Sequence, residues 1–284
     1  MWLYVVFVEC LEVVMYNGVT DTRSKADFRM YRDMLHVSQQ VMGHMLGYSR
    51  AAVADWEDPA AWVPGRDAWE RLLRRWRRAE KKAMALVDLS AGVDRPVLPY
   101  RIRARDGVGD TMIWHFENLA SRLAWDELRR SGVEAGVTRP GADPGDPSLA
   151  DASMLGLRMD LLCLPQSTLA DLAGVTRGRL QSWRSGTGPR PDRAVWDVLD
   201  RLQERVDAQA DRIVCVAEES AQVARRAGLR PALMLVPYRR LGGDVDTLVV
   251  NAAARQAAVR LHAAGLGCAM VWADDPKDEA YDPE

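Results

Sequence analysis

The sequence predicts a mainly helical α+β protein built as two tandem repeats, each a helix-turn-helix bundle followed by a small strand–helix–strand unit. Three observations lead there. Leu164–Gly186 (LPQSTLADLAGVTRGRLQSWRSG) carries the spacing of two short helices joined by a turn. His36–Asp58 lays over it without a gap at a constant offset of 127 residues. Beyond each motif, an Arg-Pro opens a β-prone run that carries Pro-Tyr-Arg.

In the C-terminal motif a first helix is expected over Ser167–Ala173, a turn at Gly174, and a second helix opening at Thr176. Leu169, Leu172, Val175, Leu180 and Trp183 recur at spacings that bring them to one inner face. Gly174 stands where the turn needs positive φ, and the Thr176 hydroxyl is placed to accept from the free amides of the next turn.

The register of the two motifs is specific. Gln39 falls on Gln166, Met42 on Leu169, Met45 on Leu172, Gly47 on Gly174, Ser49 on Thr176, Arg50 on Arg177, Val53 on Leu180 and Trp56 on Trp183. Further on, Pro64 meets Pro191, Arg66 meets Arg193, Trp69 meets Trp196 and Leu72 meets Leu199. Agreement at two Trp, a Pro and a Gly in one register reads as an internal duplication. Each proline precedes a helix, with Trp69, Leu72, Leu73 and Trp76 apolar in the first copy and Val195, Trp196, Leu199, Leu202 and Val206 in the second.

Arg95–Arg103 and Arg230–Arg240 read as strands. Helices follow at Asn118–Val133 and Asn251–Leu266, matched at Asn118/Asn251, Arg122/Arg255 and Gly132/Gly265, with each glycine a helix stop. Cys268–Trp272 is a closing strand, and its counterpart around Val133–Val137 is short or missing. The expected division is an N-terminal extension 1–27, a first helix-turn-helix domain 28–83 and a first strand–helix unit 84–137. A Pro/Gly/Asp-rich linker 138–152 follows, then a second helix-turn-helix domain 153–212, a strand–helix–strand unit 213–272 and an acidic tail 273–284. Residues 1–17 are apolar but carry Glu9 and Glu12 and no basic leader, which suits a strand or helix packed on the body; a start at Met15 or Met30 is an alternative.

A net charge of −2 over 284 residues does not announce nucleic acid, so any such surface must be local. Cys10, Cys163, Cys215 and Cys268 are widely spaced in apolar runs, which reads as single buried thiols in a reducing cytosol. No histidine shares metal spacing with a cysteine. No Gly-rich phosphate loop, nucleophile elbow or HExxH is present, so no enzyme, cofactor or metal is expected.

The residues left outward on the second helix of the C-terminal motif are Arg177, Arg179, Gln181, Ser182 and Arg184. Such side chains fork onto guanine edges and phosphates. Arg177, Arg179, Gln181 and Ser182 are expected at base edges, with Gln166 and Arg184 on backbone phosphates and Thr176 as the cap. The N-terminal motif offers Gln39, Ser49, Arg50, Ala51 and Ala52, but also Asp55, which disfavours phosphate. Glu70–Lys82 is the most basic local run; it reads either as the outer face of an amphipathic helix or as a phosphate contact beside that weaker reader. A membrane-surface helix is disfavoured because Trp69, Leu72, Leu73 and Trp76 are needed for the core.

Leu164–Gly186 resembles the helix-turn-helix of phage repressor (Xre-type) regulators: Leu-x-Gln, Leu-Ala, a Gly-Val-Thr turn and a Trp-x-x-Gly close. It departs from them at Pro165 and Ser167. More narrowly, the order of motif, proline, Trp-containing helix, strand ending Tyr-Arg, Ala/Arg-rich helix and strand ending Val271–Trp272 is similar to YdiL-like regulators, a group that includes anti-CRISPR-associated autorepressors of phages. The resemblance implies a cytosolic transcriptional repressor or autorepressor that binds double-stranded operator DNA, with the strand–helix–strand part mediating homodimerisation. The duplication implies instead an intramolecular pseudo-dimer and an asymmetric site. Two other classes remain open: a protein-interaction module such as an antitoxin or assembly factor, and an RNA-binding regulator.

Overall fold

The computed structural model describes residues 15–16, 19–20, 24–101, 111–141, 147–240 and 244–273. It is mainly helical with three small strand pairs. Met15–Tyr16 (β1) pairs antiparallel with Val19–Thr20 (β2); the rest of the expected N-terminal element, and the acidic tail beyond Ala273, lie outside the described residues. The main body then runs through two series of elements. The first is α1 (Lys25–Leu35), α2 (Gln39–Leu46), α3 (Arg50–Trp56), α4 (Arg66–Ser90), β3 (Val97–Pro99), α5 (Thr111–Arg130) and β4 (Gly136–Thr138). The second is α6 (Pro147–Leu162), α7 (Gln166–Ala173), α8 (Arg177–Arg184), α9 (Arg193–Arg226), β5 (Met234–Tyr238), α10 (Val245–Ala263) and β6 (Cys268–Trp272).

Local chemistry sets these boundaries. Ser38, Ser49 and Thr176 cap α2, α3 and α8, each side chain accepting from an amide three residues on. Gly47 (φ 81°) and Gly174 (φ 66°) end α2 and α7 in the left-handed region, as the turn requires. Gly43 answers a different need, because a Cβ there would stand 2.7 Å from the Tyr48 carbonyl oxygen. Buried Met42, Val53 and Trp56 in one helix pair, and Leu169, Leu180 and Trp183 in the other, close the two small cores. Leu172 does not join them and is 43% exposed. Three residues beyond Leu169, it lies about 60° around an eight-residue helix and falls on the rim.

Several expected boundaries shift. α4 and α9 run unbroken through the divisions set at 83/84 and 212/213, because their apolar stripes continue through Ala83 and through Val214, Ala217 and Ala221. α6 begins at Pro147, inside the expected linker, and its apolar face belongs to the core. α5 starts at Thr111 rather than Asn118, and α10 at Val245 rather than Asn251. The short closing strand of the first series does form, as β4, parallel to β3 with Leu98 opposite Val137. β5 and β6 pair in the same parallel way, with Val236 opposite Met270, each pair bridged by one helix. Cys215 is exposed rather than buried.

α10 is the core helix of the molecule. Every residue from Asn251 to Ala258 is buried, and its alanines let α9 and the strands approach on several faces at once. Asn251 secures the chain after β5, accepting from the Arg239 N–H and donating to the Arg239 carbonyl, both at 2.8 Å. Asn118 of α5 holds the Arg101 backbone in the same fashion after β3. The free edge of β6 is covered from α1: the Met270 N–H donates to Asp27 and the Met270 carbonyl accepts from Ser24 Oγ at 2.6 Å. Among the described residues no helix is long and apolar enough to cross a membrane.

Candidate nucleic-acid interface

The outward face of the α7–α8 pair is where the expected readers must lie. Arg177 is exposed near the start of α8, one residue after the Thr176 cap, whose hydroxyl accepts from the Arg179 N–H at 3.2 Å. Arg179 is half exposed; it donates to Asp192 at 3.0 Å and lies 5.0 Å from the centre of the Trp183 ring. An exposed pair of this kind is worth about 0.2–1 kcal/mol, so an incoming phosphate or guanine can displace Asp192 at little cost. Gln181 is exposed and its Oε1 accepts from Gln166 Nε2 at 2.8 Å. The amide pair fixes Gln181 and leaves its own NH2 directed elsewhere.

Two of the expected contacts are corrected. Arg184, assigned to a phosphate, points inward: its side chain is 22% exposed and stands 3.7 Å from the Asp160 carboxylate of α6. Ser182, assigned to a base edge, lies under the loop that follows α8, so close to Gly188 that a Cβ there would stand 2.3 Å from its hydroxyl. Of the expected readers on this helix pair, Arg177, Arg179 and the Gln166–Gln181 couple remain outward.

The α2–α3 pair presents less. Ser49 and Arg50 are exposed, with Ser49 serving as the cap (its Oγ accepts from the Ala52 N–H at 3.1 Å). Ala52 is half buried against the core and Asp55 is exposed. Gln39, the counterpart of Gln166, is instead drawn into a charged cluster, donating to Glu57 Oε2 at 3.0 Å beside Arg29 and Arg32. Glu57 is 4% exposed, so its demand for donors outweighs any surface role of Gln39. Beside this pair, Arg71 of α4 donates to the Leu46 carbonyl at the end of α2 and lies over the Tyr48 ring. Partial burial and the charges of Arg71, Arg74 and Arg78 push the Arg75 guanidinium pKa down, which marks a crowded cationic stretch.

Sequence reasoning missed the polar cluster that joins the two series of elements. The Tyr100 hydroxyl, just after β3, donates to Asp160 of α6 at 2.6 Å. The Tyr238 hydroxyl, at the end of β5, donates to Asp33 of α1 at 2.8 Å. Arg122 lies 4.0 Å from Asp160 and donates to the Met34 carbonyl. Arg255 donates to the Tyr238 oxygen at 2.9 Å and to the Leu162 carbonyl at 3.2 Å. His36 adds a contact at 3.3 Å to Asp160. Burial pushes both carboxyls up. The nearby charges outweigh it, Arg29, Arg32 and Arg255 at Asp33 and His36, Arg122 and Arg184 at Asp160, so both pKa values fall below the usual carboxylate value. Burial, and then the carboxylate it faces, holds the Tyr100 phenol well above its ordinary pKa, so it stays a donor. The signal was present: Asp33 and Asp160 share the 127-residue offset, and both tyrosines stand at the centre of a Pro-Tyr-Arg.

Compared with known protein families, curated proteins and solved structures, the chain matches none.

Proposed function

We propose that this chain is a sequence-specific DNA-binding transcriptional regulator of repressor or autorepressor type, with α8 as its principal reading helix. The observation that carries the reading is the exposed face of a capped, tightly turned helix pair bearing Arg177, Arg179 and a buttressed Gln181. Arginine and glutamine are the side chains that fork onto guanine and adenine edges in the major groove, and the start of a second helix is where they reach them. The crowded arginines of α4 supply phosphate affinity beside the weaker α2–α3 pair.

We further propose that the chain is an internal duplication acting as its own pseudo-dimer. Recurrence of four helices, strand, helix and strand supports this, as do the reciprocal Tyr100–Asp160 and Tyr238–Asp33 contacts. The two reading faces differ, so the site on DNA is asymmetric. In a gel shift on the duplex upstream of its own gene, Arg177→Ala with Arg179→Ala weakens binding, each lost guanine contact costing about 1–3 kcal/mol. Both side chains are exposed, so the fold survives. Equal binding by the variant and the parent protein overturns the assignment.

A further inference from the structure

A small polar cavity of about 20 Å³ lies between α5, α6 and the end of α8, bounded by Tyr100, Arg122, Gly156, Asp160 and Arg184. We propose that it binds one chloride-sized monoanion, a reading that goes beyond DNA binding and does not depend on it. About 10–15 Å³ already admits one ligand of the size of a water molecule, so the cavity takes a single small ligand and has no room for a phosphate.

The class of ligand follows from the donors that face it. Among the described residues, Arg122 Nη1 and Arg184 Nε are buried and have no hydrogen-bond partner. The Arg122 side chain is 3% exposed, and both guanidiniums stand just beyond hydrogen-bond distance of Asp160, at 4.0 and 3.7 Å. That carboxylate already accepts from Tyr100 and faces His36 at 3.3 Å, while Arg101 is paired with Glu117 at 3.1 Å. Two guanidiniums therefore share one carboxylate and keep a donor each. No side-chain acceptor at the cavity is left without a partner among the described residues. A halide ion accepts from both donors and brings no hydrogen of its own, whereas a water brings two that need acceptors. Its charge also offsets the excess positive charge held there out of water.

The first series of elements shows such a corner built without a ligand. At the offset of 127 residues, Asp160 corresponds to Asp33, Arg184 to Glu57 and Gly156 to Arg29. There the Glu57 carboxylate accepts from Arg29, Arg32 and Gln39, and Arg29 also reaches Asp33 at 3.0 Å. Beside Asp160 the second carboxylate is replaced by the Arg184 guanidinium, and the long side chain of Arg29 by Gly156. Gly156 stands inside α6, where glycine weakens a helix relative to alanine and no turn asks for it. A monoanion accepting from Arg122 and Arg184 takes the part that the Glu57 carboxylate plays among its arginines.

The test is thermal melting of the full chain at constant ionic strength, with sodium gluconate exchanged stepwise for sodium chloride. Gluconate is too large for the cavity. Melting temperature is expected to rise with chloride and then level off, by about 2 °C or more once chloride stands tenfold above its Kd. Arg122→Met removes a donor and Gly156→Ala adds a methyl group to the space, and each should abolish the chloride-dependent rise. The added Cβ would meet the Tyr100 ring at 3.5 Å, an ordinary contact, so Gly156→Ala folds. If Arg122→Met does not fold, Arg184→Gln takes its place. Equal melting in chloride and gluconate overturns the site, and so does a saturable rise that survives either substitution.

Discussion

Asp160→Ala lowers the unfolding free energy by about 3–5 kcal/mol, and Asp33→Ala does the same on the other side of the molecule. The reason lies in what each substitution leaves behind. Without Asp160, the Arg122 side chain, 3% exposed, and the inward Arg184 lose their carboxylate, while the buried Tyr100 hydroxyl loses its acceptor. Without Asp33, Arg255 and Tyr238 are stranded in the same way, and Arg29 keeps only Glu57. Removing one partner of a buried charged set costs far more than the set contributes as a whole, because the remaining charges stay desolvated. At about 2–4 °C per kcal/mol for a chain of this size, thermal melting resolves the loss easily. The same carboxylates give the protein an acid limit. Their pKa values are lowered on folding, so the stability they supply is complete above the ordinary carboxylate pKa and is lost as pH falls through it toward the folded values. Asp126 works in the opposite sense, since burial raises its pKa despite Arg129 and Arg130. Melting temperature followed from pH 7 downward should fall for the parent protein and flatten in the two Ala variants. An unchanged acid limb in either variant contradicts this role for the cluster.

Trp183→Ala costs about 3–5 kcal/mol, and Trp183→Phe no more than about 1.5 kcal/mol. Trp183 is 1% exposed and closes the small core beneath α8. Among the described residues its indole N–H has no hydrogen-bond partner, so a phenyl ring forfeits volume without breaking a hydrogen bond. Truncation to alanine also removes the surface over which Arg179 lies, so the exposed face of α8 loses its shape along with its support. Chemical denaturation of the three proteins gives the ordering directly; equal losses for Phe and Ala would mean that the indole has a polar role.

Much of the geometry of the two short helix pairs was legible because it is local. Caps at Ser49 and Thr176, left-handed glycines at 47 and 174 and the buried leucines depend on neighbours within a few residues. Side-chain destinations set by distant partners were not legible. Arg184 read as an outward arginine because its partner Asp160 lies on another helix, and Gln39 read as surface because its partner Glu57 is buried just beyond the end of α3. The sequence registers these two as counterparts: Glu57 and Arg184 share the offset, with a carboxylate among arginines in one case and a guanidinium facing a carboxylate in the other. Boundaries at 83/84 and 212/213 failed for a similar reason. They followed a change in composition, whereas the helices continue as long as their apolar stripes find α5 and α10 to pack on.

If the exposed arginine and glutamine face of α8 reads duplex DNA as proposed, affinity depends on both salt and sequence. Anisotropy titrations of the full chain between about 50 and 200 mM salt would use the duplex upstream of its own gene and an unrelated duplex of equal length. Affinity is expected to fall steeply with salt for both and to stay about 10³-fold or more tighter for the upstream duplex. Absent binding, or weak binding that ignores both salt and sequence, contradicts the proposal.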